Sequence, residues 1–205
     1  TGPQLLGRPL AITVCQYCDD RPYRFFDTWW ARPELSGGPL HMHGVHVVDW
    51  FRAICGEAAS VTAVHGPQHD ARYGFKDILH VTYRFRSGTV ASLNSAVSFP
   101  LRKFRESQGP RAECEHGGLK MVPAMDHIDL YWQRLDEEHL HHERFDDLGF
   151  DAAYRREIGD FVRWVQADEQ PCLTWEEGLR CVEMREAAYR SAAADGEAVA
   201  LPLYP

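Results

Sequence analysis

Between residues 79 and 99 the sequence alternates with a period of two. Leu79, Val81, Tyr83 and Phe85 are interleaved with His80, Thr82, Arg84 and Arg86, and a second extended run follows from Val90 to Phe99. Successive strand side chains point to opposite faces, so each run specifies a strand with one apolar and one polar side. Ser87-Gly88 between them is a hairpin signal. Such a pair is stable only inside a wider antiparallel sheet that is covered on one face.

The rest of the chain supplies that sheet and its cover. Pro9 to Cys18, rich in β-formers, and Ala59 to His65 read as strands, and Ala112–His116, Lys120–Val122, Ile128–Trp132 and His139–Phe145 as further ones. Asp19 to Pro39 is an aromatic loop that ends in the breaker Gly37-Gly38-Pro39. Val47, Trp50, Phe51 and Ile54 then recur at helical spacing, which predicts a helix from near Leu40 to Cys55, stopped by Gly56. Tyr154, Ile158, Phe161, Val162 and Val165 mark a second helical stripe, and Thr174-x-x-Glu177 is a capping box opening a third helix that Gly196 ends. Ala198–Leu201 is a short last strand. The order gives an α+β class: a mostly antiparallel, open-faced sheet with helices packed on one face. The uncovered face is free to pair with a second subunit, so a homodimer or higher homo-oligomer is expected.

With 205 residues, 44% of them hydrophobic, the chain has enough apolar mass for one core and reads as one domain, 1–205. Its net charge is −8 and it has no basic run, so nucleic acid is not an expected partner. No stretch reaches the roughly 20 apolar residues of a membrane-spanning helix, so no membrane partner is expected. The opening residues carry no secretory pattern and read as the interior of a longer chain; the expected location is the cytoplasm. The six cysteines read as reduced thiols. Cys15-x-x-Cys18 is the one metal-like spacing, without a second pair, so no metal is expected.

The densest polar constellation is Leu40-His41-Met42-His43-Gly44-Val45-His46-Val47-Val48-Asp49, directly after the double glycine. A neutral imidazole at the start of a helix can take a proton from a hydroxyl. Helical geometry puts His43, His46, Val47 and Trp50 near one face. A histidine one turn before a core tryptophan also reads as a half-buried packing residue. A metal site built from His41, His43 and His46 is another reading, and it needs a break between strand-like and helical spacing. Tyr23, Trp29 and Trp30 lie on the preceding loop, where flat rings either line a pocket or pack the loop onto the sheet. Arg102 and Lys103 read as a solvated edge, and His127, His139, His141 and His142 as strand-surface residues.

The segment Gly37-Gly38-Pro39-Leu40 through His46-Val47-Val48-Asp49-Trp50, ending in Cys55-Gly56-Glu57, resembles the signature of the Gfo/Idh/MocA family of glucose–fructose oxidoreductases and inositol dehydrogenases. Lys76-Asp77 with the hairpin at Arg86-Ser87-Gly88-Thr89 is similar to the family's hairpin. Glu115-His116-Gly117-Gly118-Leu119 is similar to its strand turn, and Glu157 to Val162 and Gly196 to Val199 to its closing helices and tail. Leu6-Gly7-Arg8-Pro9 suits its first strand.

The resemblance implies the substrate-side, C-terminal half of a two-domain oxidoreductase acting on a sugar or polyol hydroxyl by hydride transfer. The family's N-terminal dinucleotide-binding domain carries a Gly-rich loop and an E-K-P lysine, and this chain has neither. NAD or NADP is therefore expected in the full-length protein and none on this fragment. By resemblance His46 is the catalytic or substrate-orienting histidine and Asp49 is structural, with His43 or His41 as a stand-in partner; Tyr23, Trp29, Trp30 and His41 are candidate substrate contacts from their own chemistry, since flat rings can stack on a sugar ring. The family's aspartate, four residues before His46, falls at Met42, which cannot move a proton. The alternative is a sugar-binding or assembly module of the same fold that has lost dehydrogenase chemistry, or a metal-dependent hydrolase or lyase using the three histidines.

Overall fold

The computed structural model describes residues 6–98, 109–124, 126–167, 170 and 173–204. Arg102, Lys103 and Cys172 lie outside these. Nine strands form one sheet: β1 (Pro9–Tyr17), β2 (Ala58–His65), β3 (Ile78–Phe85), β4 (Val90–Ala96), β5 (Gly109–Cys114), β6 (Gly117–Pro123), β7 (Ile128–Arg134), β8 (His141–Phe145) and β9 (Val199–Ala200). Their spatial order is β8-β7-β6-β5-β1-β4-β3-β2-β9. Every neighbouring pair is antiparallel except β1 and β4, which run parallel from Ala11↔Val90 to Tyr17↔Ala96. The expected α+β architecture is thus present, with one parallel join at its centre. The β3–β4 hairpin turns at Ser87-Gly88, where Gly88 adopts φ +87° and its N–H donates to Phe85 O.

The helical elements are α1 (Pro33–Ser36), α2 (Val45–Cys55), α3 (Phe150–Ala167) and α4 (Trp175–Ala193). Helices α2 and α4 cover the β1–β4–β3–β2 half of the sheet. Val48 and Phe51 from α2 and Met184, Ala187 and Ala188 from α4 join Ile12, Val61, Leu79, Val81, Tyr83, Ala91 and Leu93 in one core. Phe51 is fully buried, which stabilises the fold by roughly 1.5–3 kcal/mol relative to leaving that side chain in water. Asp49 accepts a hydrogen bond from the Cys181 thiol across the α2–α4 contact. Arg52 bridges Glu57 and Glu177, tying the end of α2 to the start of α4. Thr174 Oγ1 accepts from the Glu177 N–H at 3.5 Å, capping α4 where the sequence places its capping box.

Two features differ from the pattern read in the sequence. Residues Leu40–Gly44 form one turn of π-helix rather than the first turn of α2. The apolar stripe of α3 is not part of the core: Ile158, Phe161 and Val165 are 62%, 58% and 69% exposed. Periodicity shows that a helix has an apolar face but not which element covers it. Beyond β5 the sheet extends past the helices, and every residue of β7 is half-buried. On that part Tyr131 stacks on His142 and Trp132 on His141, which keeps those histidines on the strand surface.

Candidate functional site

The double glycine is required by what packs on it. Gly37 and Gly38 have φ of +72° and +81°, which side chains rarely adopt. A Cβ on Gly38 would lie 2.7 Å from the Tyr189 hydroxyl oxygen, and one on Gly37 would lie 2.7 Å from the His41 ring. The Tyr189 hydroxyl accepts a hydrogen bond from the Leu40 N–H at 2.9 Å, fixing the start of the π turn against α4. Turns of π-helix widen the helix by one residue and often occur at functional sites. Here the turn splays the three histidines apart.

His41 turns toward α4. Its Nε2 lies 3.2 Å from Glu186 Oε1, and its ring meets Tyr189 edge-on at 5.6 Å. Burial, and then the nearby Arg185 charge, hold its pKa below the ordinary value. His43 turns toward the end of β1, where its Nε2 lies 3.2 Å from Oδ2 of the buried Asp20. Burial alone would lower the His43 pKa, but hydrogen bonds to Asp20 and Cys18 and the charges of both raise it to about 10. His43 is therefore a cation at neutral pH, which suits a fixed donor and not a general base. His46, one turn on, stays exposed and faces a different space.

That space is a cavity of about 300 Å³ between α2 and strands β1, β5 and β6. His46, Val47 and Trp50 line it from α2, Val14 and Gln16 from β1, and Pro110 and Met121 from β5 and β6. Its described wall is largely apolar, with the His46 imidazole, Gln16 and Cys15 among its lining. An exposed imidazole beside an aromatic and aliphatic wall can exchange a proton with a hydroxyl whose carbon skeleton lies on that wall. Gln16 also reaches the π turn, donating from Nε2 to the His43 carbonyl at 2.8 Å. A wider depression of about 520 Å³ lies over β5–β7, lined by Arg111, Glu113, Lys120, Tyr131 and Gln133, and holds none of the three histidines.

The aromatic loop leads to His43, not into the His46 cavity. Tyr23 stacks on Phe25 at 5.4 Å, Phe25 on Trp30 at 4.5 Å, and Trp30 leans on His43 at 5.3 Å. Tyr23 and Trp29 present exposed rings at the loop surface. Tyr23, Trp29, Trp30, His41 and His43 do not line the His46 cavity among its described residues. Gln16 and Asp20 were not singled out in the sequence, and Cys18 was read only as half of a metal-like spacing. Trp50 looked like core, and an aspartate 23 residues before its histidine partner gives no local signal.

His41 pairs with Glu186 and His43 with Asp20, and among the described residues no group of three or more His, Cys, Asp or Glu side chains is placed to hold a metal ion. The described cysteines 15, 18, 55, 114 and 181 are free thiols. Gly37 and Gly38 do not form a dinucleotide cradle. No G-x-G-x-x-G occurs in the sequence, and the open sides of Gly37 and Gly38 are filled by His41 and Tyr189.

Comparison with known proteins agrees with this architecture. The aldose–aldose oxidoreductase from Caulobacter crescentus, crystallised with glycerol, superposes with a TM-score of 0.78 at 17% identity, over 95% of this chain and 56% of that one. An oxidoreductase from Thermotoga maritima gives 0.74 at 23% identity, over 96% and 55%. Levoglucosan dehydrogenase in complex with NADH and levoglucosan gives 0.77 at 18%, over 96% and 59%. At these identities the likeness is one of fold, and the chain spans a little over half the length of those structures. No curated protein matches the sequence. The sequence profile of the GFO/IDH/MocA C-terminal domain matches residues 4–119, more than half of the chain. The chain belongs to the GFO/IDH/MocA family, whose C-terminal domain it carries.

Proposed function

We propose that this chain is the substrate-side domain of an NAD(P)-dependent oxidoreductase that acts on a sugar or polyol hydroxyl. The observation that carries the reading is the exposed His46 imidazole on an apolar cavity, on a fold shared with levoglucosan dehydrogenase and an aldose–aldose oxidoreductase. The redox group in this reading is a nicotinamide held by a separate N-terminal domain. This chain's task is to seat the alcohol and manage its proton. The cavity wall holds the carbon skeleton, with Trp50 offering a flat apolar face. His46 takes the hydroxyl proton as general base and returns it in the reverse direction. His43, paired with Asp20, supplies a fixed positive charge behind the π turn, outside the His46 cavity. Tyr23 and Trp29, exposed on the aromatic loop, are the proposed outer contacts for a larger substrate. The open sheet face serves as the subunit interface of a homo-oligomer, which light scattering on the full-length protein tests; a monomer across the micromolar range removes it. No helix of the described residues is long and apolar enough to cross a membrane, in keeping with a cytoplasmic enzyme.

The test is a panel of neutral sugars and polyols with NAD+ or NADP+ and the full-length protein. Appearance of the reduced nicotinamide with one substrate class supports the reading, and no turnover across the panel removes it. A second reading is a sugar-binding or assembly module without redox chemistry, favoured by Met42 in the family's aspartate position. It predicts sugar binding without nicotinamide reduction.

A further inference from the structure

Cys18 lies just past the end of β1, where its N–H donates to Ala96 O at 2.8 Å. Two residues on, the Asp20 N–H donates to Val97 O at 3.1 Å, and Asp19 between them bridges to Ser98. The stretch is thereby pinned along the end of β4. Residues on either side of a bridged residue point the same way, and here both side chains meet His43 on the π turn. The Cys18 thiol is hydrogen-bonded to the His43 ring, and Nε2 of that ring lies 3.2 Å from Oδ2 of the buried Asp20. Trp30 leans on the imidazole at 5.3 Å. A thiol, an imidazole and a carboxylate that orients the imidazole are the parts of an activated nucleophile. The other described thiols are placed differently. Cys55, Cys114 and Cys181 are buried, and burial pushes each thiol up, Cys55 and Cys181 to about 11. Cys15 is partly exposed, as Cys18 is, but its hydrogen-bond partners are neutral: the Asn94 amide at 3.9 Å and the Tyr17 hydroxyl. Among the described thiols only Cys18 combines exposure with an imidazolium as its hydrogen-bond partner.

We propose that Cys18 is a modification site for peroxides, with His43 as the donor to its sulfur and Asp20 as the residue that positions His43. The Cys18 sulfur attacks one oxygen of hydrogen peroxide, and the S–O bond forms as the O–O bond breaks. The proton given up by the thiol goes to the departing oxygen, which leaves as water. Sulfur is oxidised to a sulfenic acid and the peroxide is reduced; an added thiol reverses the step. The His43 N–H supports the negative charge on sulfur while its proton is in transit. Asp20, 4% exposed, holds that ring in place from the other side. Cys18 is not among the residues that line the His46 cavity, so this site stands whether or not His46 handles a substrate proton.

The experiment adds hydrogen peroxide to the chain at neutral pH with a cyclic diketone that captures sulfenic acids. Fragment-ion mass spectrometry separates adducts on Cys18 from adducts on Cys15. The Cys18 adduct should form about tenfold faster than the Cys15 adduct, the worth of one charge-assisted hydrogen bond to the reacting sulfur. His43→Gln should bring the Cys18 rate down to that of Cys15. Asp20→Asn should lower it by a smaller factor, and neither variant should change the Cys15 rate. Each variant is first checked for an unchanged backbone NMR spectrum. The ratio of the two rates in the wild type needs no variant, so a substitution that unfolds the chain leaves the test intact. Equal rates at the two thiols, or a fast Cys18 that keeps its rate in folded His43→Gln, overturns the proposal.

Discussion

The Nε2 atom of His43 lies 3.2 Å from Oδ2 of Asp20, a residue only 4% exposed and carried on a different element. This contact and the hydrogen bond to Cys18 raise the His43 pKa to about 10. The folded state therefore binds the proton more tightly than the unfolded state, whose histidine titrates near 6.5. The stability this supplies is complete below about pH 6.5 and is lost as pH rises to about 10. Asp20→Asn should flatten that part of the stability–pH curve and bring the His43 NMR titration down toward the ordinary range. An unchanged titration would show that Asp20 does not hold the proton.

Gly38 and Tyr189 make the second close relationship. Gly38→Ala forces a side chain into φ +81° and against the Tyr189 hydroxyl. Urea unfolding should show a loss of about 1–3 kcal/mol. Adding Tyr189→Phe removes the clash but also the acceptor of the Leu40 N–H, and the backbone strain remains, so it should restore little of the loss. A neutral Gly38→Ala would contradict the packing described here.

The α3 stripe behaves differently from a core stripe. Ile158 is 62% exposed, so Ile158→Lys in this chain should change unfolding stability by less than about 0.5 kcal/mol. A loss of several kcal/mol would mean that α3 is docked on the sheet.

Nucleotide binding gives a clean negative control for the division of labour. Titration of this chain with NADH should leave the cofactor's fluorescence unchanged, because the glycines before the helical stretch are occupied by His41 and Tyr189. Micromolar binding would show that a nicotinamide site resides in this half.

The sheet was legible in the sequence because its signals are local. Alternation in β3, the Ser87-Gly88 turn and the Thr174 cap each depend on a few consecutive residues. The parallel join of β1 to β4 was not legible, since pairing across about 80 residues leaves no periodicity in either strand. The π turn escaped for a related reason: apolar spacing at Val47, Trp50 and Phe51 is the same whether the preceding turn is α or π. His46 stands out in the sequence through its motif, whereas Asp20 and Gln16 do not. Their roles come from one hydrogen bond each to His43, made only after β1 and the π turn are brought together.

The most direct measurement is the turnover of His46→Ala in the full-length protein against its best sugar or polyol. The account predicts a fall in kcat of about two to four orders of magnitude, with KM changed far less and partial rescue by added imidazole. Near-normal kcat would remove His46 from the chemistry and leave the cavity as a binding site alone.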